Sequence, residues 1–267
     1  MAPRRLPDLK SNVKVLPAIE SKYISRVPFI FAAIGPTASG KTHLGLGLIK
    51  LMRREHSITK LYIICPSFKS NVIYQSIVKE TDWVFEDLSK SFQALKEVEL
   101  DCEANSEKYR RDLEYQIAYR LYTGGHTVTS AQEHLLESYR YRDVTPIRPS
   151  PCLLIDDASH SPIFSSSNKN LLTNLVLRCR HVGDGLGLSI AMMAQTYTSG
   201  IPRALRQNLT HLALFHTESE REIKSVYAEC SGQVSFEQFK QLFNHYTHKK
   251  HSYLWVDNIL RQMGDSF

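Results

Sequence analysis

The sequence predicts an α/β fold, a three-layer sandwich whose mainly parallel central sheet carries helices on both faces. Five apolar runs, at 27–34, 61–65, 152–155, 186–194 and 210–215, are nearly continuous rather than alternating, as strands covered on both faces require. Most of the stretches between them place apolar residues at helical spacing. The first run also ends in a glycine-containing turn that leads straight into such a stretch, making a strand–loop–helix unit.

In chain order, the first strand stops at Gly35, and from Thr42 onward Leu44, Leu48, Leu51 and Met52 share one helical face. Arg53, Arg54 and His56 suit the C-terminus of that helix, where cations meet the negative end of the dipole. The second strand is halted by Cys65-Pro66-Ser67. From about 83 to 150 the pattern turns to polar helices, marked by Leu88, Phe92 and Leu95 and then Tyr109, Leu113, Ile117 and Leu121. This stretch reads as a helical insertion. It contains a loop at Gly124, Gly125 and His126, and a helix start at Ser130, whose side chain and that of Glu133 can cap each other's backbone donors. The third strand follows, then a serine-rich loop at 165–168 and a helical face of Leu171, Leu172, Leu175, Val176 and Cys179. After the fourth and fifth strands come a helix at 236–248 and a closing strand at 252–256, placed at the sheet edge. The expected organisation is a basic N-terminal arm (1–27), a single domain (28–260) interrupted by the insertion, and a short tail (261–267). No internal repeat is visible.

A chain of 267 residues suits one large domain with an insertion, because single cores stop growing near this length. No apolar stretch approaches the roughly 20 residues that span a bilayer, and MAPRRLPDLK lacks the apolar core of a signal peptide. The expectation is a protein neither secreted nor membrane-spanning. Cys65, Cys102, Cys152, Cys179 and Cys230 are scattered without a C-x-x-C pair, so neither a zinc site nor a disulfide framework is expected. The net charge of +6 is concentrated in the arm, where Arg4, Arg5, Lys10, Lys14, Lys22 and Arg26 face only Asp8 and Glu20. Such an arm can meet nucleic acid or an acidic surface, although many proteins with this charge bind neither.

The chemistry is concentrated at strand ends. Gly35-Pro36-Thr37-Ala38-Ser39-Gly40-Lys41-Thr42 fits G-x-x-x-x-G-K-[ST] between a strand and a helix. Phosphates need converging backbone N–H donors, a glycine turn that lets the chain approach, a helix N-terminus and a lysine ammonium; this segment supplies all four. The fold class is therefore a P-loop NTPase, with ATP as ligand and Thr42 as a candidate Mg²⁺ ligand. The third strand ends in Asp156 and Asp157. Paired acids at a strand end are costly unless they serve a cation; Asp156 is the candidate Mg²⁺ ligand and Asp157 the candidate general base toward water. Alone, such a pair could equally cap a loop. Gln195, closing the fourth strand, can donate to a γ-phosphate oxygen and accept from the lytic water, or simply satisfy loop backbone. The sequence thus predicts two neighbouring strand tips that bring the glycine cradle against the carboxylates.

Phosphoryl transfer gains from a guanidinium near the developing charge, and Arg178, Arg180, Arg203 and Arg206 are candidates, each also readable as an ordinary surface arginine. His245, His248 and His251 recur at helical spacing beside Lys249 and Lys250; this pattern suits a helix C-terminus, and no metal is assigned there. Lys108-Tyr-Arg-Arg111 and Tyr139-Arg-Tyr-Arg142 interleave bases and aromatics as nucleic-acid binders do, but solvated helix faces produce the same pattern.

In order, the motifs GPTASGKT, LLIDD, Arg180-His181, AQTY, Ile201-Pro202 and Arg206-x-Asn208-x-Thr210-His211 resemble the poxvirus-type genome-packaging ATPases of the FtsK/HerA superfamily. The resemblance spans about 25–260. It implies ATP-driven pumping of double-stranded DNA into a preformed capsid by a homo-oligomeric ring, a pentamer or hexamer. It also implies docking on a capsid or portal vertex and a location in the host cytoplasm, the viral factory or the virion. Carried over, the phosphate loop falls on 35–42, the magnesium and base acids on Asp156 and Asp157, the polar sensor on Gln195 and the arginine finger on Arg180. The link Val182-Gly-Asp-Gly-Leu-Gly187 is longer than usual for the family, so Arg178 or Arg206 could hold the last role. Asp157 also stands where many superfamily motors have Glu, so the base has a shorter reach and a bridging water could be needed. The phosphate loop alone also resembles that of tRNA dimethylallyltransferases. Those, however, carry Asp-Ser and a nearby Tyr after the second strand, where this chain has Cys65-Pro-Ser-Phe. A third reading is a capsid-associated protein that binds nucleotide without turnover; Asp157 and Gln195 speak against it.

Overall fold

The computed structural model describes residues 19–159, 161–165, 170–230 and 234–264. The phosphate-loop strand and its helix are β1 (Ile30–Ile34) and α1 (Lys41–Arg54), followed by β2 (Lys60–Ile64), α2 (Val72–Gln75) and β3 (Trp83–Phe85). Next come α3 (Ser91–Thr123), α4 (Ser130–Ser138), β4 (Pro151–Ile155), α5 (Leu171–Leu177), the turn α6 (Val182–Gly185) and β5 (Ser189–Ala194). The chain continues through α7 (Arg203–Arg206), β6 (His211–Phe215), α8 (Glu220–Cys230), α9 (Phe236–Thr247), β7 (Tyr253–Asp257) and β8 (Gln262–Gly264).

The strands form one eight-stranded sheet in the order β3-β2-β4-β5-β1-β6-β7-β8. The first six are parallel, and β7 and β8 add antiparallel pairs at one edge. Strand period sorts the apolar residues into two layers. Ile30, Ala32, Ile34, Leu153, Ile155, Ile190 and Met192 face α3, α5, α8 and α9. Phe31, Ala33, Leu154, Ala191 and Met193 face α1 and its Leu46, Ile49 and Met52. Both faces are covered, which is why these strands read as continuous apolar runs.

The structure corrects several sequence expectations. Trp83–Phe85, assigned to the helical insertion, is a parallel strand at the sheet edge; its three residues are too few to show a period. The helix expected to start at Ser130 is capped by Thr129, whose Oγ1 accepts from Gln132 N while Gln132 Oε1 accepts from Thr129 N. The closing strand β7 is not the edge, because β8 pairs with its outer side. Helix α8 was not anticipated. Of the expected basic arm, 19–27 lies against the domain: Ile24 is buried, Lys22 N donates to Glu55 Oε2 at 3.3 Å, and Ser25 Oγ is 2.8 Å from His211 Nε2. Residues 1–18, most of the serine-rich stretch (166–169) and the tail from 265 lie outside the described residues.

Helix α3 contributes Ala94, Leu95, Val98 and Cys102 to the main core. Its second half leaves that core and builds a small one with α4, in which Tyr115, Ala118 and Leu136 are fully buried. There the Tyr115 and Tyr139 rings stack at 4.1 Å, bringing the two basic-aromatic motifs together, with Arg111 over the Tyr139 ring at 5.9 Å. Among the described residues, no helix is long and apolar enough to cross a membrane.

Candidate nucleotide-binding site

Parallel strands deliver their C-terminal ends to one edge, and in such sheets ligands bind outside those ends. Here Gly35 directly follows β1, Asp156 follows β4 and Gln195 follows β5. The expected adjacency of β1 and β4 is corrected, because β5 lies between them. Its tip joins the site directly: Gly35 N donates to Ala194 O at 3.2 Å, and Gln195 lines one cleft with Gly35, Phe215 and Thr217. Strand order was the unknown, since nothing in a linear sequence says which strand enters between two others.

The phosphate loop has the backbone its glycines suggest. A Cβ at Gly35 would sit 2.6 Å from Phe215 Cβ and 2.9 Å from Ser39 Oγ, so no larger residue fits. Gly40 caps α1 at φ 104°, a left-handed conformation that disfavours side chains. Lys41 is buried and rests its Nζ on Pro36 O at 2.8 Å. The buried Ser39 Oγ has no hydrogen-bond partner among the described residues, an orphan that a phosphate oxygen would satisfy.

Thr42 Oγ1 donates to Asp156 Oδ2 at 2.7 Å, so α1 and β4 meet at this corner. Tyr74 OH donates to the same oxygen at 2.5 Å, and Asp157 N to Asp156 Oδ1 at 2.8 Å. Ser67 Oγ donates to Asp157 Oδ2 at 2.7 Å. Asp157 holds φ at 53°, an uncommon conformation for a non-glycine residue. Burial pushes the Lys41 ammonium below its ordinary range, while Asp156 and Asp157 oppose the shift. Burial likewise pushes the Asp156 carboxyl up; the Tyr74 and Thr42 hydroxyls act against that, and the Asp157 charge adds to it. Each charge is held where water is scarce, as befits a site that meets an opposite charge from outside the chain.

Thr42 Oγ1 and Asp156 Oδ2 are hard oxygen donors, and this donor set fits Mg²⁺, which takes one or two protein oxygens and completes its shell with water and phosphate. Among the described residues, no group of three or more His, Cys, Asp or Glu is arranged to hold a metal unaided.

The arginine candidates separate clearly. Arg206 is buried and committed within its own chain: Nε and Nη2 donate to Glu229 at 3.0 and 2.9 Å, and Nη1 donates to Thr198 O and Ile201 O at 3.0 and 2.9 Å. Arg206, a catalytic candidate in the sequence, thus has all three guanidinium nitrogens engaged within its own chain. Arg178 pairs with Glu99 on α3. Arg180 is exposed and, among the described residues, makes no ion pair. It lies just after Cys179, whose carbonyl accepts from Leu188 N at 2.8 Å, and so at the opposite end of the strands from Gly35. The long link after it forms a left-handed turn, with Gly183 and Asp184 at φ 58° and 52°, packed against Cys102 of α3.

Nothing in the sequence pointed to Ser67 or Tyr74 as partners of the acids, and His251 was expected only at a helix C-terminus. The first two follow β2, whose place beside β4 was not knowable; the stop at Cys65-Pro66 was the available signal. His251 Nδ1 lies 3.0 Å from Ser39 O, on the outer side of the phosphate loop.

Fold and phosphate loop define the class as a P-loop NTPase fold. No protein-family model and no curated protein matches this sequence. Solved structures do. The genome packaging NTPase B204 from Sulfolobus turreted icosahedral virus 2, in complex with ATP-gammaS, is similar with a TM-score of 0.53 at 14% identity, covering 88% of this chain and 95% of that one. The DNA-packaging ATPase B204 from Sulfolobus turreted icosahedral virus is similar with a TM-score of 0.53 at 15% identity and the same coverage of 88% and 95%. The pCW3 conjugation coupling protein TcpA, in its monomer form with ATPgS, reaches a TM-score of 0.50 at 11% identity over 86% of this chain and 57% of that one. At these identities the likeness establishes the fold.

Proposed function

We propose that this protein is a viral genome-packaging ATPase of the FtsK/HerA type that hydrolyses ATP to move double-stranded DNA into a preformed capsid. The observation that carries the reading is the corner where Thr42 Oγ1 meets Asp156 Oδ2 at 2.7 Å, with Lys41 and Asp157 beside it. In this reading Lys41 leaves Pro36 O for the β and γ phosphates, and Ser39 Oγ gains a phosphate partner. Asp157 takes a proton from the water whose oxygen attacks the γ-phosphorus, and the bond to the ADP oxygen breaks. Thr42 and Asp156 hold Mg²⁺, which when bound neutralises the developing phosphate charge. Gln195, at the tip between cradle and carboxylates, senses the γ-phosphate.

Arg180, at the far end of the strands from its own phosphate loop, acts on the site of an adjacent protomer, and the subunits form a ring, a pentamer or hexamer, around DNA. Support comes from the exposed position of Arg180, the shared fold with DNA-packaging and conjugation-coupling proteins, and the order of the motifs. The ring docks on a capsid or portal vertex, and the protein works in the host cytoplasm, viral factory or virion.

ATP turnover, with and without double-stranded DNA, tests the reading. Lys41→Ala and Asp157→Ala are each expected to lower turnover by about 10²–10⁴-fold. Unchanged turnover in either variant overturns it.

A further inference from the structure

We propose that Ser67 and Tyr74 are positioning residues for the twin carboxylates, so that the connection from β2 to β3 is a working part of the site. The proposal rests on the ATPase reading and adds to it two residues that act through the carboxylates.

The connection folds as a sequence of small tethers. Ser70 N and Oγ donate to Ser67 O at 3.2 and 2.8 Å, closing a turn directly after the β2 tip. Asn71 Oδ1 then accepts from Ile73 N at 3.2 Å and starts α2. That start fixes which side of the short helix faces inward: Val72 and Ile73 are 73% and 41% exposed, whereas Tyr74 is fully buried with its ring 5.6 Å from Phe68.

Two hydroxyls result, one aimed at each carboxylate. Tyr74 OH and Thr42 Oγ1 both donate to Asp156 Oδ2, and Asp157 N holds Oδ1, so the carboxylate plane is fixed by three donors, from α2, α1 and the following residue. A buried carboxylate stays ionised and oriented only when such donors offset its lost hydration. Phenylalanine would fill the same space and remove one donor. Ser67 Oγ serves Asp157 in the same way, and Asp157 needs a tether because its backbone lies in the left-handed region. Outer hydrogen bonds that orient carboxylate ligands commonly change metal affinity by about 10–100-fold.

The test uses the full chain and the variants Tyr74→Phe, Ser67→Ala, Ser67→Thr and Lys41→Ala. Mn²⁺ binding in the presence of a non-hydrolysable ATP analogue, read by electron paramagnetic resonance, gives a signal independent of turnover. Tyr74→Phe is expected to weaken Mn²⁺ binding about tenfold. Ser67→Ala is expected to lower kcat about tenfold with the KM for ATP unchanged, and Ser67→Thr to restore it.

A role confined to folding would lower the urea midpoint while leaving metal affinity and kcat at wild-type values, and that result overturns the proposal. If Tyr74→Phe does not fold, the Ser67 pair decides alone, because Ser67 lies on a half-buried turn. A wild-type protein without turnover, or one that Lys41→Ala does not impair, removes the ATPase reading itself. An active wild type with inactive Lys41→Ala but wild-type Ser67→Ala and Tyr74→Phe removes only the positioning roles.

Discussion

Two buried charged sites in this molecule have opposite character. In the Arg206–Glu229 socket, burial acts to lower the arginine, but the two-pronged contact with Glu229 outweighs it and Arg206 is held above its ordinary range. Burial alone would raise Glu229; Arg206 and the Tyr197 hydroxyl bring it below its ordinary range. Around the phosphate loop the balance runs the other way, with Lys41 pushed down and Asp156 pushed up, each toward its neutral form. The socket contains its own counter-charge. At the corner Asp156 and Asp157 act on Lys41 without forming an ion pair and do not outweigh burial, so Lys41 and Asp156 are suited to a phosphate and a cation that arrive together. Burial of charge therefore signals architecture in one place and chemistry in the other, and a direct ion pair inside the chain tells them apart.

The sharpest way to break that contrast is through the arginines. Arg180→Ala is expected to lower ATP turnover about 10³-fold, the usual worth of an arginine finger. Mixing Arg180→Ala subunits with Lys41→Ala subunits should recover part of the activity, because one mixed interface then holds an intact lysine and an intact arginine. Absence of recovery in an assay of mixed oligomers counts against a shared site. Next in size, Arg206→Ala should cost about 3–5 kcal/mol of stability in urea unfolding, since it strands Glu229. Turnover per folded molecule should stay within a few-fold of wild type; a thousandfold loss without destabilisation would return the finger to Arg206.

The smallest effect is a pair of opposed pH slopes. Glu229 has a folded-state value below its unfolded one, so its contribution is present above the ordinary glutamate range and is lost as the pH falls through the depressed value. Asp156 is raised, so the folded state binds the extra proton. Its contribution is present below the ordinary aspartate range and is lost as the pH rises through the raised value. Urea midpoints across pH in metal-free buffer should show Glu229→Gln removing an acid-side loss and Asp156→Ala removing a loss on the rising side. Slopes of the same sign for both groups would erase the distinction.

Much of this was legible in the sequence because it is local. The P-loop segment, the run Leu153-Leu154-Ile155 before Asp156, and the helical face of α1 each carry their own signature within about a dozen residues. Strand order is not local, so the insertion of β5 between β1 and β4, and the approach of Ser67 and Tyr74 to the acids, could not be read. Arg206 and Arg180 are indistinguishable as letters; their partners, Glu229 on α8 for one and none for the other among the described residues, exist only in the fold.

Helix α3 has a mechanical consequence. It is fastened to the domain by the core, by the Gly183 turn and, as far as Arg110, by the ion pair with Asp184; beyond that point it runs on to Thr123 packed against α4 and the segment that follows it. That projecting portion is about 20 Å long, so a tilt of about 5° at its root swings the far end by about 2 Å. The same root abuts the turn that follows Arg180, so any small shift of that turn would be magnified at the far end of the arm.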